Sequence, residues 1–431
     1  MARRAVREYD AKRLLARYLP DILPEFDYPG RVALVEPDTD WTALVSDHPW
    51  LATERLVAKP DQLFGKRGKH GLLGLDLDLA GAKAWIAERM GKEITVGQVT
   101  DRLTTFLVEP FVPHRQEEEV FVAIRTERES DVLYFSLQGG IEIEENWESV
   151  VQIAIPVLEM ADAEGIAGQL PAFEGREPMA RFLAALYHFF VDMAFTYLEI
   201  NPLTLLLSGQ GSGPARVLPL DFVGQVDDTA AFEVGEKWGA LPFPPAFGVR
   251  LTPEEAAIRE LDEKGGSSLK LTVLNPQGRV WPMVAGGGAS VIYADTVTDL
   301  GFGKELACYG EYSGNPSTDE TREYARTILD LMTREPDPQG RPKFLLIGGG
   351  IANFTDVAKT FTGIVDALRE YRERLQRNHV RIYVRRGGPN YKEGLALMRR
   401  LGEELGVPIE VYGPETHMTR IVGMALSQGE A

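Results

Sequence analysis

Residues 344–357 read FLLIGGGIANFTDV. Four apolar residues, three glycines and a short polar stretch before a helical pattern describe a strand, a glycine turn and the start of a helix from about Thr355. The pattern recurs on both sides. Upstream, Arg279–Val284 runs into Gly286-Gly287-Gly288 and a helix, and Thr318–Arg334 is helical. Downstream, Val380–Val384 runs into Arg385-Arg386-Gly387-Gly388 and a further helix, and Ile409–Tyr412 forms the last strand. Repeated strand, glycine turn and helix predict a parallel sheet with helices on both faces, a doubly wound α/β domain whose ligands sit at the carboxyl ends of the strands. Just before it, Leu269–Leu274, the turn Asn275-Pro276-Gln277-Gly278 and Arg279–Val284 read as a β-hairpin.

The preceding half of the chain has a different texture. EVFVAI and VLYFSL alternate cleanly, so Val120–Arg125 and Val132–Leu137 are expected strands, as are Arg31–Val35, Leu56–Pro60 and Leu107–Val112. Between Met179 and Leu198, Phe182, Leu183, Leu186, Phe189, Phe190 and Met193 recur at helical spacing and predict one long helix that ends in LEINP. Trp238–Glu255, with prolines at 242, 244, 245 and 253, reads as an ordered linker. The boundary is placed there, giving domains 1–245 and 246–431. The basic first helix, MARRAVREYDAKRLLARYL, lacks a continuous apolar stretch and is expected to be an ordinary surface helix rather than a leader.

Net charge is −18, which disfavours nucleic-acid binding while leaving room for a local basic pocket. No apolar run approaches the roughly 20 residues that cross a bilayer. Cys308 is the only cysteine and the six histidines are scattered, so neither a disulfide nor a zinc site is expected, and a cytoplasmic setting fits.

Five clusters can carry chemistry. AKPDQLFGKRGKHGLLG, residues 58–74, pairs cations at Lys59, Lys66, Arg67 and Lys69 with glycines that let a backbone approach a polyphosphate; the same residues suit a solvated basic hairpin, and the P-loop pattern is absent. FLVEPFVPHRQEEEVFVAI puts Glu109 and Val112 at a strand end, where backbone groups can meet an adenine edge, and a glutamate run where a carboxylate can meet a ribose, or simply a solvated turn. Glu199, Asn201 and Asp221 are hard oxygen donors of the kind Mg²⁺ takes alongside phosphates, or a turn and a surface acid. In the opening stretch, Asn353 and Thr355 add donors to helix amides, or cap the helix. In YVRRGGPNYKEG, Arg386 can clamp a carboxylate, with Tyr371 reaching the same crevice, or form a basic surface turn.

Taken in order, KPDQL, KRGK, EPFVPH, TYLEINPL, SLKLTVLNP, MVAGGGASV, YGEYSG, LMTRE, IANFT, VRRGGPNY and PETHM resemble the ATP-citrate lyase family from about Asp38 to Met424, and more distantly the β subunit of succinyl-CoA synthetase. The resemblance implies an ATP-grasp domain followed by a flavodoxin-like citrate-binding domain. It implies ATP contacts at Lys59, Arg67, Gly68, Glu109, Pro110, Val112 and Glu119, and Mg²⁺ at Asn201 and Asp221. It implies a structural cation around Asp262, Gly265 and Ser267, and citrate at Gly314, Asn353, Thr355, Tyr371 and Arg386. The family has a lysine where this chain has Gln225, and the loop Ser208–Pro214 is longer than usual and is expected to be a flexible hairpin tip. The family's phosphorylated histidine, CoA site and citrate-synthase-like domain have no counterpart here, so the resemblance implies a larger partner subunit that carries them and no covalently modified residue in this chain. A small subunit of a citryl-CoA or succinyl-CoA synthetase, and a non-catalytic citrate sensor, are the alternative readings.

Overall fold

The computed structural model describes residues 3–24, 28–140, 147–206 and 216–427; the loop Ser208–Pro214 lies outside them. The chain divides into two compact units, Met1–Arg250 and Leu251–Ala431.

In the first unit, a large antiparallel sheet runs in the order β1 (Arg3–Val6), β13 (Val223–Asp227), β11 (Phe195–Leu206), β8 (Glu119–Thr126), β9 (Ser130–Ser136), β10 (Val151–Pro156), with β12 (Arg216–Pro219) on the end of β11. A smaller antiparallel sheet is ordered β2 (Ala33–Val35), β7 (Phe106–Pro110), β3 (Leu56–Pro60), β4 (Gly74–Leu77), and β5 (Glu93–Val96) pairs with β6 (Val99–Arg102). The helices are α1 (Glu8–Ile22), α2 (Trp41–Asp47), α3 (Leu79–Arg89), α4 (Ala163–Gln169), α5 (Arg176–Asp192) and α6 (Ala231–Trp238). Alternation divides the large sheet's faces. Val120, Val122 and Ile124 of β8, Leu133 and Phe135 of β9, and Leu198 and Ile200 of β11 enter one core with Phe182, Leu183, Leu186, Phe189 and Phe190 of α5. Each such large apolar side chain taken from water contributes about 1.5–3 kcal/mol.

Two expectations need correction here. The long helix stops at Asp192 rather than Leu198: Ala194 takes a positive φ of 52°, and the aromatic and β-branched residues after it form β11. The first helix is not an ordinary surface helix either, because Glu8, Asp10, Lys12, Leu15 and Leu19 are buried. Its N-terminus has no local side-chain cap. Asp61, just past β3, takes that role by accepting the backbone N–H of Glu8 (3.0 Å) and Tyr9 (3.1 Å).

The second unit holds the parallel sheet, ordered β15 (Val280–Ala285), β17 (Phe344–Gly349), β18 (Arg381–Arg385), β19 (Ile409–Tyr412). A parallel bridge between Val280 and Leu306 brings the approach to β16 (Cys308–Ser313) alongside β15, which gives flavodoxin-type winding with a switch point between β15 and β17. The helices are α7 (Pro253–Lys264), α8 (Gly287–Val297), α9 (Thr318–Thr333), α10 (Val357–Glu370), α11 (Arg372–Arg377), α12 (Tyr391–Leu405) and α13 (Arg420–Ser427). Side chains of α9, α10 and α12 pack on Met283, Ile347 and Val384, while α8 and α13 pack on Val284, Leu346 and Tyr383, so both faces are covered.

The expected hairpin at 269–284 does not form. Strand β14 (Ser268–Val273) pairs antiparallel with β16, whereas β15 pairs with β17. The difference was present in the residues: all six of β15 are buried, as befits a strand inside a parallel sheet, while SLKLTV alternates. No helix among the described residues is long and apolar enough to cross a membrane.

Candidate functional site

A cavity of about 1410 Å³ opens in the first unit. Its floor is the face of the large sheet opposite the core. Glu119, Phe121, Ala123 and Arg125 come from β8, Tyr134 from β9, Tyr197, Glu199 and Asn201 from β11, and Asp221 and Val223 from the start of β13. The basic loop Gly65–Lys69 and the turn Gly139-Gly140 supply further wall. The alternation that hides Val120, Val122 and Ile124 therefore turns two carboxylates and two rings of β8 and β11 toward one space. Asn201 accepts the Gly140 N–H at 2.6 Å, and His114 joins the Val112 carbonyl (2.6 Å) to Glu119 (3.0 Å).

Beneath this cavity lies a closed ring of buried charge. Lys12 meets Glu8 at 2.7 Å and Glu109 at 2.7 Å; Lys59 meets the same two carboxylates at 2.6 and 2.7 Å. The Leu220 carbonyl accepts from both ammoniums, at 3.0 and 2.6 Å. Arg67 extends the ring, donating to the other Glu8 oxygen (2.6 Å), to the Pro60 carbonyl (2.8 Å) and to Asp221. Three cations therefore face three carboxylates. Burial works against a charged Glu8, but Lys12, Lys59 and Arg67 outweigh it and hold its carboxyl well below the usual range. Asp221 is the reverse case: desolvation raises its carboxyl although Arg67 opposes the shift. The Arg67 and Phe222 N–H bonds both fall on Oδ1 of Asp221, leaving Oδ2 for another donor or a cation.

In the second unit the signal is one buried cation. Arg386 leaves β18 almost wholly buried and donates Nη1 to the Gly350 carbonyl at 2.7 Å. Among the described residues its Nε is buried with no hydrogen-bond partner, and no carboxylate pairs with it. Desolvation pulls its pKa below the ordinary arginine value. Gly349, at φ 150°, is required here, since a Cβ would lie 2.7 Å from Arg386 Nη1 and 2.8 Å from the Ala285 carbonyl oxygen. The neighbouring Arg385 is spent on the Gly349, Pro414 and Thr416 carbonyls. This cation stands at the carboxyl ends of β15, β17 and β18, the switch-point crevice.

The expected site residues distribute as follows. Arg67, Gly68, Glu119, Asn201 and Asp221 share the cavity; Lys59, Glu109, Pro110 and Val112 are not on its wall. Lys59 and Glu109 belong to the ring, and the Glu109 backbone lies in β7 opposite Val57, so it is not a free strand end for an adenine. Gln225 sits within β13, opposite Ala5 and Tyr197. Helix α10 is capped by Asp356, not by Asn353 or Thr355, which leaves those two donors beside the glycine turn. Gly314 takes a positive φ of 76° against the Ser267–Ser268 backbone. Tyr371 cannot share the crevice: it lies beyond the far end of α10, about 20 Å from the turn, with Arg374 over its ring at 4.9 Å. The loop expected to hold a structural cation has partners of its own. Asp262 is engaged by Lys270 and the Leu269 N–H, and Ser267 donates to Glu320. Among the described residues no three or more His, Cys, Asp or Glu side chains gather as a metal cage. Sequence reasoning missed Glu8, Lys12, Arg125 and the Phe121–Tyr134–Trp147 ring group, where Trp147 lies 5.6 Å from Tyr134 and 6.3 Å from Phe121. The buried charges of α1 were hidden by its basic, amphipathic composition.

Fold and sites together define a two-unit α/β protein of the ATP-grasp class, with a doubly wound second domain. The first unit matches the ATP-citrate synthase ATP-grasp domain over residues 2–238, and the second matches the ATP citrate lyase citrate-binding domain over residues 249–428. The chain belongs to the ATP-citrate lyase family. It is 51% identical to ATP-citrate synthase alpha chain protein 2 of Oryza sativa subsp. japonica, covering 99% of this chain and 98% of that one. It is 50% identical to the ATP-citrate synthases of Bos taurus and Homo sapiens but spans only 38% of their length. The ATP citrate lyase from Methanothrix soehngenii, solved in complex with citrate and coenzyme A, superposes with a TM-score of 0.88 at 54% identity, covering 99% of this chain and 100% of that one.

Proposed function

We propose that this chain is the nucleotide- and citrate-handling subunit of an ATP-citrate lyase, which converts ATP, citrate and CoA to ADP, phosphate, acetyl-CoA and oxaloacetate. The observation that carries the reading is Arg386, a buried guanidinium with an unpartnered Nε at the switch point of the sheet. An isolated buried cation costs free energy unless an anion pairs with it, and the donors gathered there, Asn353 and Thr355 beside a glycine turn, suit a carboxylate-rich ligand. Citrate is such a ligand, and the archaeal relative was solved in complex with citrate and coenzyme A.

The cavity of the first unit takes Mg-ATP. Arg67 and the Gly65–Lys69 loop would neutralise the polyphosphate, Glu119 faces the same cavity, and Asn201 with Oδ2 of Asp221 would hold Mg²⁺. The ion neutralises charge between phosphate oxygens. A larger partner subunit supplies the histidine that carries the phosphoryl group, the CoA site and the cleavage domain. In that scheme this chain's residues bind, orient and stabilise charge, and Arg386 steadies citrate as one carboxylate becomes the phosphoryl acceptor. A cytoplasmic setting suits a chain whose one cysteine is a buried free thiol.

The test uses ATP labelled at its γ-phosphate in the complex with the partner subunit. Arg386→Ala is expected to leave the partner's labelling by ATP intact while acetyl-CoA formation falls at least roughly 100-fold, equivalent to ~3 kcal/mol of transition-state stabilisation. Equal loss of both steps would overturn the assignment of separate sites.

A further inference from the structure

The first helix contributes two charges, Glu8 and Lys12, to the buried ring beneath the nucleotide cavity, and the activity as described assigns neither a role. Glu8 is the more informative. One carboxylate oxygen bridges Lys12 and Lys59; the other holds Arg67. Glu8 opens α1, and Asp61 clamps the backbone N–H groups of Glu8 and Tyr9. Lys59 and Asp61 flank the end of one strand, so helix and strand fix each other's charged side chains.

Arg67 shows why this matters for a ligand. Its guanidinium is held from behind by the Pro60 carbonyl and Glu8, both buried, and touches Asp221 on the cavity side. Asp221 is its exchangeable partner. If Asp221 turns to a ligand, Arg67 is still gripped by two fixed acceptors, and the Nη2 N–H it gave to Asp221 is free for a phosphate oxygen. A buried ion network contributes little to stability against well-packed apolar side chains, so its presence here calls for a role in orientation.

We propose that Glu8 is a positioning residue of the nucleotide site, which aims Arg67 and Lys59 at the polyphosphate and thereby makes the first helix part of the ATP-binding apparatus. The proposal rests on the nucleotide reading above. Removing Glu8 alone leaves an excess buried cation, so charge balance and aim must be separated. Glu8→Gln combined with Lys12→Met removes one charge of each sign and keeps the network neutral. Glu8→Asp keeps the charge but shortens its reach.

The experiment is calorimetric titration of Mg-ATP into the full chain, wild type and these variants, with thermal melting and citrate titration run in parallel. The double variant is expected to melt within a few degrees of wild type, to bind citrate unchanged, and to bind Mg-ATP at least tenfold more weakly; Glu8→Asp falls between. A folded double variant with Mg-ATP affinity within twofold of wild type would overturn the proposal. So would unfolding of every Glu8 variant, which would make Glu8 a stability element only. Absence of Mg-ATP binding by the wild type would instead remove the nucleotide reading itself.

Discussion

The buried cations at the two candidate sites, one in each unit, are held in opposite ways. Beneath the first unit's cavity, Lys12, Lys59 and Arg67 are cancelled by Glu8, Glu109 and Asp221. In the second unit Arg386 is buried among carbonyls and tyrosines, with no acid beside it among the described residues. The first arrangement is complete in itself and must exchange one partner, Asp221, to engage a ligand. The second is incomplete, and on the proposed reading an anionic ligand supplies the missing charge. A buried arginine without a carboxylate is therefore the stronger sign of a ligand than a richer cluster whose charges already balance.

That contrast can be broken by substitution. The largest effect is expected in the balanced network. Lys12→Met leaves Glu8 and Glu109 short of a cation, and denaturant unfolding should show a loss of about 3–5 kcal/mol. Next is citrate affinity: Arg386→Ala should weaken it by about 100-fold, ~3 kcal/mol, in a direct titration, and Arg386→Lys should not restore it because an ammonium lacks the planar fork.

A smaller effect concerns Asp61. Burial, and then the nearby Glu8, push its carboxyl up to about 6, above the ~3.9 of an unfolded chain. Between about pH 4 and 6 the native chain therefore keeps a proton that the unfolded chain has released. The stability this contributes is present below pH 4 and is lost as pH rises through 6. The Glu8 and Tyr9 N–H groups fall on different oxygens of Asp61, so Asn keeps only one of these bonds, but it cannot ionise; the stability of Asp61→Asn relative to wild type should therefore shift in the variant's favour by ~2 kcal/mol between pH 4 and 7, read as a changing difference in melting temperature. The smallest effect has the opposite sign to the first. Arg386→Met removes an unpaired buried cation and should stabilise the citrate-free chain by ~1 kcal/mol, whereas a loss of several kcal/mol would mean that Arg386 is structurally paired after all.

Much of the second unit was legible because its signals are local. FLLIGGG and YVRRGG each hold a strand, its end and the turn within a few residues, and Arg386 is visible as the last side chain before the glycines. The faces of β8 and β9 were legible for the same reason, through their period of two. The first unit's charge ring was not, because its pairs are set by chain reversals that no periodicity encodes: Lys59 finds Glu8 at 51 residues' separation and Arg67 finds Asp221 at 154. The misread hairpin at 269–284 and the placing of Tyr371 in the crevice share one cause. Proximity in sequence was taken for proximity in space, across a turn that leads into a different sheet and along a helix that carries its end away.

The central claim is that two anion sites, one in each unit, are separable by chemistry. Its most direct measurement is paired calorimetry, with citrate and then Mg-ATP titrated into wild type and Arg386→Ala. The account predicts that wild type binds both, and that Arg386→Ala loses citrate while its Mg-ATP isotherm is unchanged. Citrate binding that survives the substitution, or Mg-ATP binding that disappears with it, would contradict the account.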